Sequence, residues 1–311
     1  MKRTTGTYVV STTLGEPVRA FVPHALPPAA PALADSVWAT HNDAAVMALQ
    51  RLSAVAGLVP SVDWLLYSAI RQEALMTSQI EGTQATLVDL FDEEAGLAIS
   101  NKDDVEEVTN YLQAFQWVQT QLRTPQGLPI SVRLLSEAQR RLLDGVRGSG
   151  KQPGELRKSQ NWIGGTRPGN AVFVPPPADQ VPALLGDLER FIHAEQTNLP
   201  ALVRVALVHA QFETIHPFMD GNGRLGRLLI PLILVQAKVL SQPLLYLSVF
   251  FKKHRQTYYD RLQQVRTTGD WESWLLFFVD AVAATATQAV QMAQQLNNLR
   301  SEHRAALSGF G

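Results

Sequence analysis

The string HPFMDGNGRLGR, His216 to Arg227, decides how the rest of the chain is read. Before it, Leu202, Val205, Ala206, His209, Phe212 and Ile215 recur at helical spacing, and Pro217 stops that helix. After it, Leu225, Leu228, Leu229 and Leu232 mark a second buried helix. The glycines therefore occupy a turn that opens a helix N-terminus. There the backbone N–H groups of Gly221, Asn222 and Gly223 lack intrahelical acceptors and can converge on an anion. Asp220 is a hard oxygen ligand, suited to Mg²⁺ that phosphates also hold. Arg224 and Arg227 are three apart, so they share one helix face and offer two guanidinium forks. His216 is the nearby side chain that can take a proton near neutral pH. Each element alone has an ordinary structural reading: a common turn string, a capping histidine, two solvated arginines. Base, metal ligand, anion nest and paired arginines within twelve residues together read as a nucleoside polyphosphate site. No GxxxxGK[ST] string occurs, so the site is not a P-loop.

Outward from this segment, helical signals run from about Ala44 to the end. Leu49, Leu52, Val55 and Leu58 share a face, and Pro60 ends the run. Trp64, Leu65, Ala69, Ile70 and Ala74 begin a second helix. Val108, Leu112, Phe115 and Val118 give Val105 to Leu122 an apolar stripe, and Ser131 suits the N-cap of the next helix. That helix decays into the glycine-rich GVRGSGKQPG. From Val181 onward four or five helices are expected, the last rich in Gln and Ala. Two segments read as β. Tyr8 to Val10 and Val18 to Val22 flank Leu14-Gly15-Glu16 as a small hairpin in an otherwise irregular, proline-rich arm. NWIGGTRPGNAVFVPPP, Asn161 to Pro177, reads as a β-hairpin that Pro175, Pro176 and Pro177 bar from continuing as a central strand. The expected fold is mainly all-α, with an irregular arm at 1–36, an N-terminal helical region at 37–128, a core at 129–240 and C-terminal helices at 241–311.

Composition agrees. Of 311 residues, 46% are hydrophobic and 18% charged, which excludes a mainly disordered chain. A formal net charge of -1 excludes nucleic-acid binding driven by global charge. With no cysteine, disulfides, thiolate metal sites and a Cys nucleophile are excluded. The N-terminus lacks the apolar core of a signal peptide, and the apolar run Leu228 to Leu240 is short and broken by Gln236 and Lys238. A soluble, cytoplasmic protein is expected, with neither membrane nor nucleic acid as partner.

At every fixed position HPFMDGNGRLGR matches HxFx(D/E)GNGRxxR, the signature of the Fic family, and the chain resembles that family. The resemblance implies a small helical core with a β-hairpin flap, and transfer of AMP from ATP to a target hydroxyl. It implies that His216 is the general base, Asp220 the Mg²⁺ ligand, and Gly221, Asn222 and Gly223 the anion hole. Arg224 and Arg227 would be phosphate clamps, with Leu225 and Gly226 in the same nucleotide-binding stretch. Kinase-like relatives carry lysine at the second motif glycine; the intact Gly223 favours AMP transfer. TSQIEG, Thr77 to Gly82, matches the inhibitory pattern [S/T]xxxE[G/N], whose glutamate, here Glu81, pairs with the second arginine, here Arg227. The same string also reads as a plain helix C-cap at Gly82.

The segment 161–177 resembles the flap that docks a target backbone by β-augmentation, with Ile163, Gly164 and Gly165 lining the nucleotide site. A surface hairpin is the alternative. Tyr258 and Tyr259 stand where relatives place aromatics near adenine, or form a core pair. Relatives carry Asn eight residues after the first Tyr. This chain has Arg266, and that contact is not carried over. Residues 5–95 resemble the family's N-terminal region and 130–240 its core, without room for the winged helix that many relatives add. The implied protein is an adenylyltransferase using ATP and Mg²⁺, autoinhibited by Glu81. Its partner would be a protein substrate on the flap, and self-modification and a homodimer are compatible with it. Removal of AMP, transfer of UMP or phosphate, and non-enzymatic peptide docking are the competing readings.

Overall fold

Two helices that are apolar on almost every side must lie at the centre of the molecule. In the computed structural model, which describes residues 3–57, 62–195 and 198–308, they do. These are α7 (Ala201–Ile215) and α8 (Asn222–Gln236), with Val205, Ala206, Phe212, Leu225 and Leu228 among their fully buried residues. Ahead of them the chain forms β1 (Gly6–Thr13), β2 (Glu16–Pro23), α1 (Asp35–Ala56), α2 (Val62–Ile80), α3 (Leu87–Glu94), α4 (Lys102–Arg123), α5 (Val132–Leu142) and α6 (Val181–His193). After them come α9 (Ser248–Lys253), α10 (Arg255–Thr268) and α11 (Trp271–Ser308). Among the described residues, six helices thus begin at or after Val181, one or two more than the periodicity suggested. The sequence signal missed that Ser248–Thr268 is two helices meeting at His254. Leu58 and Pro60 lie outside the described residues, as does the Trp64 side chain.

Local chemistry sets the boundaries. Ser131 caps α5 by accepting from the Leu134 N–H at 3.3 Å, as its position predicts. Thr86 and Asp89 form a reciprocal capping box that starts α3. Gly269, left-handed at φ 71°, separates α10 from α11. By length and composition α11 could cross a bilayer, but its first half buries Trp274, Leu275, Phe278 and Val282 in the core. The helix α1 packs along α11, starting at Asp35 rather than near Ala44, and Arg3 clamps the same end through Glu272 (2.7 Å) and the Gly269 carbonyl (2.8 Å).

The N-terminal arm is more regular than its prolines suggest. Strands β1 and β2 pair antiparallel over eight residues each, from Gly6 opposite Pro23 to Thr13 opposite Glu16. The second hairpin needs correction. Residues 161–177 reverse direction but form no ladder; a single antiparallel bridge joins Ile163 to Phe173. Gly164 and Gly165 have φ of +68° and +73°, and the tip winds into a 3-10 turn at Pro168–Asn170. The other side of this segment is covered by β2, where the Phe21 N–H donates to the Val174 carbonyl at 2.9 Å. Glu16 in β2 accepts from Arg167 at 2.7 Å and from the Gly169 N–H at 2.9 Å. From α10, Gln263 donates to the Val172 carbonyl at 3.3 Å, and the Arg266 guanidinium stacks 4.0 Å from the Phe173 ring centre. The segment that sequence alone isolates as a free hairpin is therefore held between β2 and α10.

Candidate active site

His216 ends α7 in the left-handed region, at φ 49° and ψ 62°. For a non-glycine residue this costs about 1–2 kcal/mol, and neighbouring groups must hold it there. The His216 N–H donates to the Phe212 carbonyl at 2.9 Å. Buried Arg157 donates from Nε to the His216 carbonyl (2.9 Å) and from Nη2 to the Ile215 carbonyl (3.4 Å), while its own N–H reaches the Pro217 carbonyl (2.9 Å). One arginine thus ties three successive carbonyls around the base. Burial, then the Arg266 and Arg157 guanidiniums, press the imidazole pKa down to about 4, against a weaker upward pull from Glu81 and the Glu213 carbonyl. The ring is a free base at neutral pH, and its Nδ1 has no well-aligned hydrogen-bond partner among the described residues.

Beyond the base, the turn is shaped by Asn222. Its buried side chain accepts from the Phe218 N–H at 2.9 Å and returns a bond to the Phe218 carbonyl at 2.8 Å. Gly221, left-handed at φ 78°, serves as N-cap of α8. Its own N–H donates to Asp220 Oδ1 at 2.7 Å, which corrects the expected anion hole. The N–H groups left at the helix start are those of Asn222, Gly223 and Arg224, where the helix dipole favours negative charge.

Both motif arginines are buried, and each meets a different glutamate. Arg227 donates to Glu81 Oε1 at 2.5 Å and to Thr77 through Nε (2.7 Å) and Nη2 (3.2 Å). Glu81 follows the end of α2, and burial would raise its pKa, but Arg227, then Arg224 and His216, hold it below the usual carboxylate range. Gly223 makes this contact sterically allowed: a Cβ there would overlap Glu81 Oε1 and sit 3.0 Å from Arg227 Nη1. The helix α2 is anchored upstream by buried Glu73, which accepts from Ser248 Oγ (2.5 Å) and the Ser248 N–H (3.1 Å) at the start of α9. Burial still pushes Glu73 up to about 7.

Arg224 pairs with Glu107 of α4 at 3.0 Å, both side chains 2% exposed, and Arg147 reaches the same carboxylate at 3.2 Å. Sequence reading missed Glu107. Its signal was available: Glu107 starts a row with Tyr111, Ala114 and Val118 along the buried face of α4, where a lone carboxylate needs a partner. Removing one member of a buried pair leaves the other charge uncompensated, at a cost of about 3–5 kcal/mol. Glu107→Ala is therefore expected to lower stability by that amount in urea unfolding; an unchanged midpoint would show the pair to be dispensable.

Asp220 accepts from Lys151 Nζ at 2.8 Å through Oδ2, and its carbonyl accepts from Gln139 Nε2 at 3.1 Å. An ammonium already seated on the carboxylate shows that Asp220 presents lone pairs to a cation. No group of three or more His, Cys, Asp or Glu poised for a metal occurs among the described residues. A single carboxylate fits Mg²⁺, which keeps water and phosphate oxygens as its other ligands.

The remaining expected contacts divide. The Leu225 side chain is fully buried in the core and closed to a ligand. Gly226 serves packing: a Cβ would overlap Glu213 Oε1, and its carbonyl accepts from His209 at 3.0 Å. Tyr258 is 1% exposed, hydrogen-bonded through its hydroxyl to His209 Nε2 (2.8 Å) and stacked on Phe251, so it is a core residue rather than a base-stacking platform. Tyr259 is 40% exposed beside Arg255, and Glu81 raises its pKa after burial does. Ile163 is half-buried at the bridge, and Gly164 and Gly165 are exposed at the turn.

Comparison with known proteins agrees with this geometry. The model of the Fic/DOC family N-terminal region matches residues 39–120, and that of the Fic/DOC family matches 129–234. The protein adenylyltransferase Fic of Culex quinquefasciatus is 32% identical over 198 residues, 62% of this chain and 36% of that protein. The namesake from Drosophila grimshawi is 29% identical over 213 residues, 66% of this chain and 40% of its own length. The chain thus spans about two fifths of the curated relatives it matches. A Fic family protein from Desulfovibrio desulfuricans G20 superimposes with a TM-score of 0.64 at 25% identity, covering 80% of this chain and 74% of that one. Residues 134–508 of Fic-1 from C. elegans do so at 0.63 and 22%, covering 85% and 75%. With both regions matched, the motif intact and the helices arranged alike, the chain belongs to the Fic/DOC family.

Proposed function

We propose that the protein transfers AMP from ATP to a hydroxyl side chain of a target protein, and that Glu81 restrains this activity. One observation carries the reading: a neutral imidazole at His216, a cation-seating carboxylate at Asp220 and the open start of α8 lie within a single turn. In the reaction, the target O–H gives its proton to His216. The oxygen attacks the α-phosphorus, the bond to the bridging oxygen breaks, and pyrophosphate leaves. The free N–H groups of Asn222, Gly223 and Arg224, with the Arg224 and Arg227 guanidiniums, match the charge that develops on the phosphates. Mg²⁺, held at Asp220, would neutralise the phosphates and the leaving group. Segment 161–177 is tied beside this site by Asn161, whose side-chain amide donates to the Phe218 carbonyl at 3.2 Å, and a target segment would dock along it. With Glu81 in place, Arg227 is withheld from the phosphates.

A second reading shares these residues. The Glu81 carboxylate is one third exposed, and in this reading it orients a water for removal of AMP from a modified protein. One assay separates the two. Wild type, Glu81→Gly and Glu81→Gly/His216→Ala are incubated with α-labelled ATP, Mg²⁺ and lysate. Transfer predicts protein label in Glu81→Gly that disappears in the double variant. Loss of label from a pre-modified protein, strongest in wild type, would favour removal instead.

The pH dependence carries its own check. The folded His216 pKa of about 4 lies below the ordinary histidine value of 6.5, so the base stays unprotonated as pH falls until about 4. In Glu81→Gly, kcat/KM should have no limb from His216 between pH 5 and 8. A limb near 6.5 would show that the ring is solvated in the working enzyme.

A further inference from the structure

The carboxylate assigned to a divalent cation already carries a cation of the protein's own. Lys151 Nζ lies 2.8 Å from Asp220 Oδ2, and the Gly221 N–H occupies Oδ1 at 2.7 Å. The loop between α5 and the Ile163 segment is shaped to deliver that lysine. Gly145 and Gly148 are left-handed, at φ +69° and +96°, and a Cβ at Gly148 would stand 3.0 Å from Asp220 Oδ2. Two anchors fix the loop. Arg147 holds Glu107, and the Gly154 N–H donates at 2.5 Å to Gln139, whose other end holds the Asp220 carbonyl. The loop and the Asp220 backbone thus share one buried glutamine. A divalent cation on Oδ2 would lie against an ammonium on the same oxygen, and like charges at that range repel, so the two compete for the carboxylate.

We propose that Lys151 is a positioning residue that acts as the resident cation of the metal site: it neutralises Asp220 until a metal–nucleotide complex displaces it. The inference rests on the nucleotide-site reading above. The step is an exchange of ions with no bond made or broken. The ammonium leaves Oδ2, a divalent cation takes it, and the phosphates arriving with the metal offset the added charge. Metal alone has to compete with Lys151 without that compensation, so the site favours metal that comes with nucleotide.

The test counts bound Mn²⁺ by electron paramagnetic resonance in the full chain carrying Glu81→Gly, with ADP as the nucleotide probe. Calorimetry follows ADP in parallel, and thermal melts confirm folding. Lys151 is about half exposed, so Lys151→Gln should fold. Surface ion pairs are worth about 0.2–1 kcal/mol, so this variant should lower the Mn²⁺ concentration at half-saturation by about 1.4- to fivefold. Lys158→Gln removes the same charge from the same loop, where Lys158 is exposed and pairs with Glu155 rather than Asp220, and should leave the midpoint in place. Asp220→Ala should abolish the Mn²⁺ signal. An unchanged midpoint in Lys151→Gln, or an equal fall in Lys158→Gln, would overturn the proposal while leaving the nucleotide site intact. Absence of both ADP and Mn²⁺ uptake in every variant would instead overturn the nucleotide-site reading and this inference with it.

Discussion

Replacing Glu81 by glycine should raise AMP transfer by one to two orders of magnitude. The contact it removes is a charge-assisted hydrogen bond of 2.5 Å between Glu81 and Arg227. Such bonds are worth about 1.5–3 kcal/mol, and each 1.4 kcal/mol corresponds to tenfold in rate or affinity. The freed guanidinium keeps its orientation, because Thr77 still accepts from Nε at 2.7 Å. The same substitution leaves a buried arginine without its counter-charge, so the ligand-free variant should melt below wild type. Added Mg²⁺ and nucleotide should restore much of the loss by supplying phosphate in place of carboxylate. Initial rates with labelled ATP and melting curves with and without nucleotide check both halves. Equal rates in the two proteins would remove the restraint from Glu81.

The second large effect is at the base. His216→Ala, made in the Glu81→Gly background, should lower the transfer rate about 10²- to 10⁴-fold and leave nucleotide affinity nearly unchanged. The groups expected to hold phosphate, at the start of α8 and on Arg224 and Arg227, do not depend on the imidazole. The turn should survive too, because Arg157 grips backbone carbonyls at 215–217 rather than the ring. Full activity in this variant would move the proton acceptor elsewhere, whereas lost nucleotide binding would give the ring a part in shaping the nest.

The candidate site was legible because its main parts are local. Twelve consecutive residues carry base, carboxylate, turn and arginines, and a helix N-terminus follows from Pro217 and the leucine spacing without tertiary information. The parts that were not legible are contacts across long separations. Glu107 meets Arg224 from 117 residues away, and Lys151 reaches Asp220 across 69. Nothing in the local pattern of a loop lysine announces such a partner. The flap was misread for a related reason. Apolar runs either side of the glycine-rich turn suggested a ladder, but the backbone at Gly164 and Gly165 turns away, and Val174 finds its hydrogen bond on β2. The Tyr258–Tyr259 pair was undecidable from spacing alone. Burial separates them, one into the core beside His209 and one half in solvent beside Arg255.

The anchor of α2 has a consequence for the order in which a nascent chain acquires its parts. The motif ends at Arg227, yet Glu73 takes its bonds from Ser248, and α1 finds its bed on α11, which begins at Trp271. On the ribosome the catalytic turn is therefore translated before the surfaces that seat the helix leading to Glu81. Contacts that distant in sequence form late, so the Glu81–Arg227 contact is the last part of the site to become firm. A chain cut short after α8 would keep every residue of the motif and Glu81 itself, and would lose the grip that holds Glu81 on Arg227.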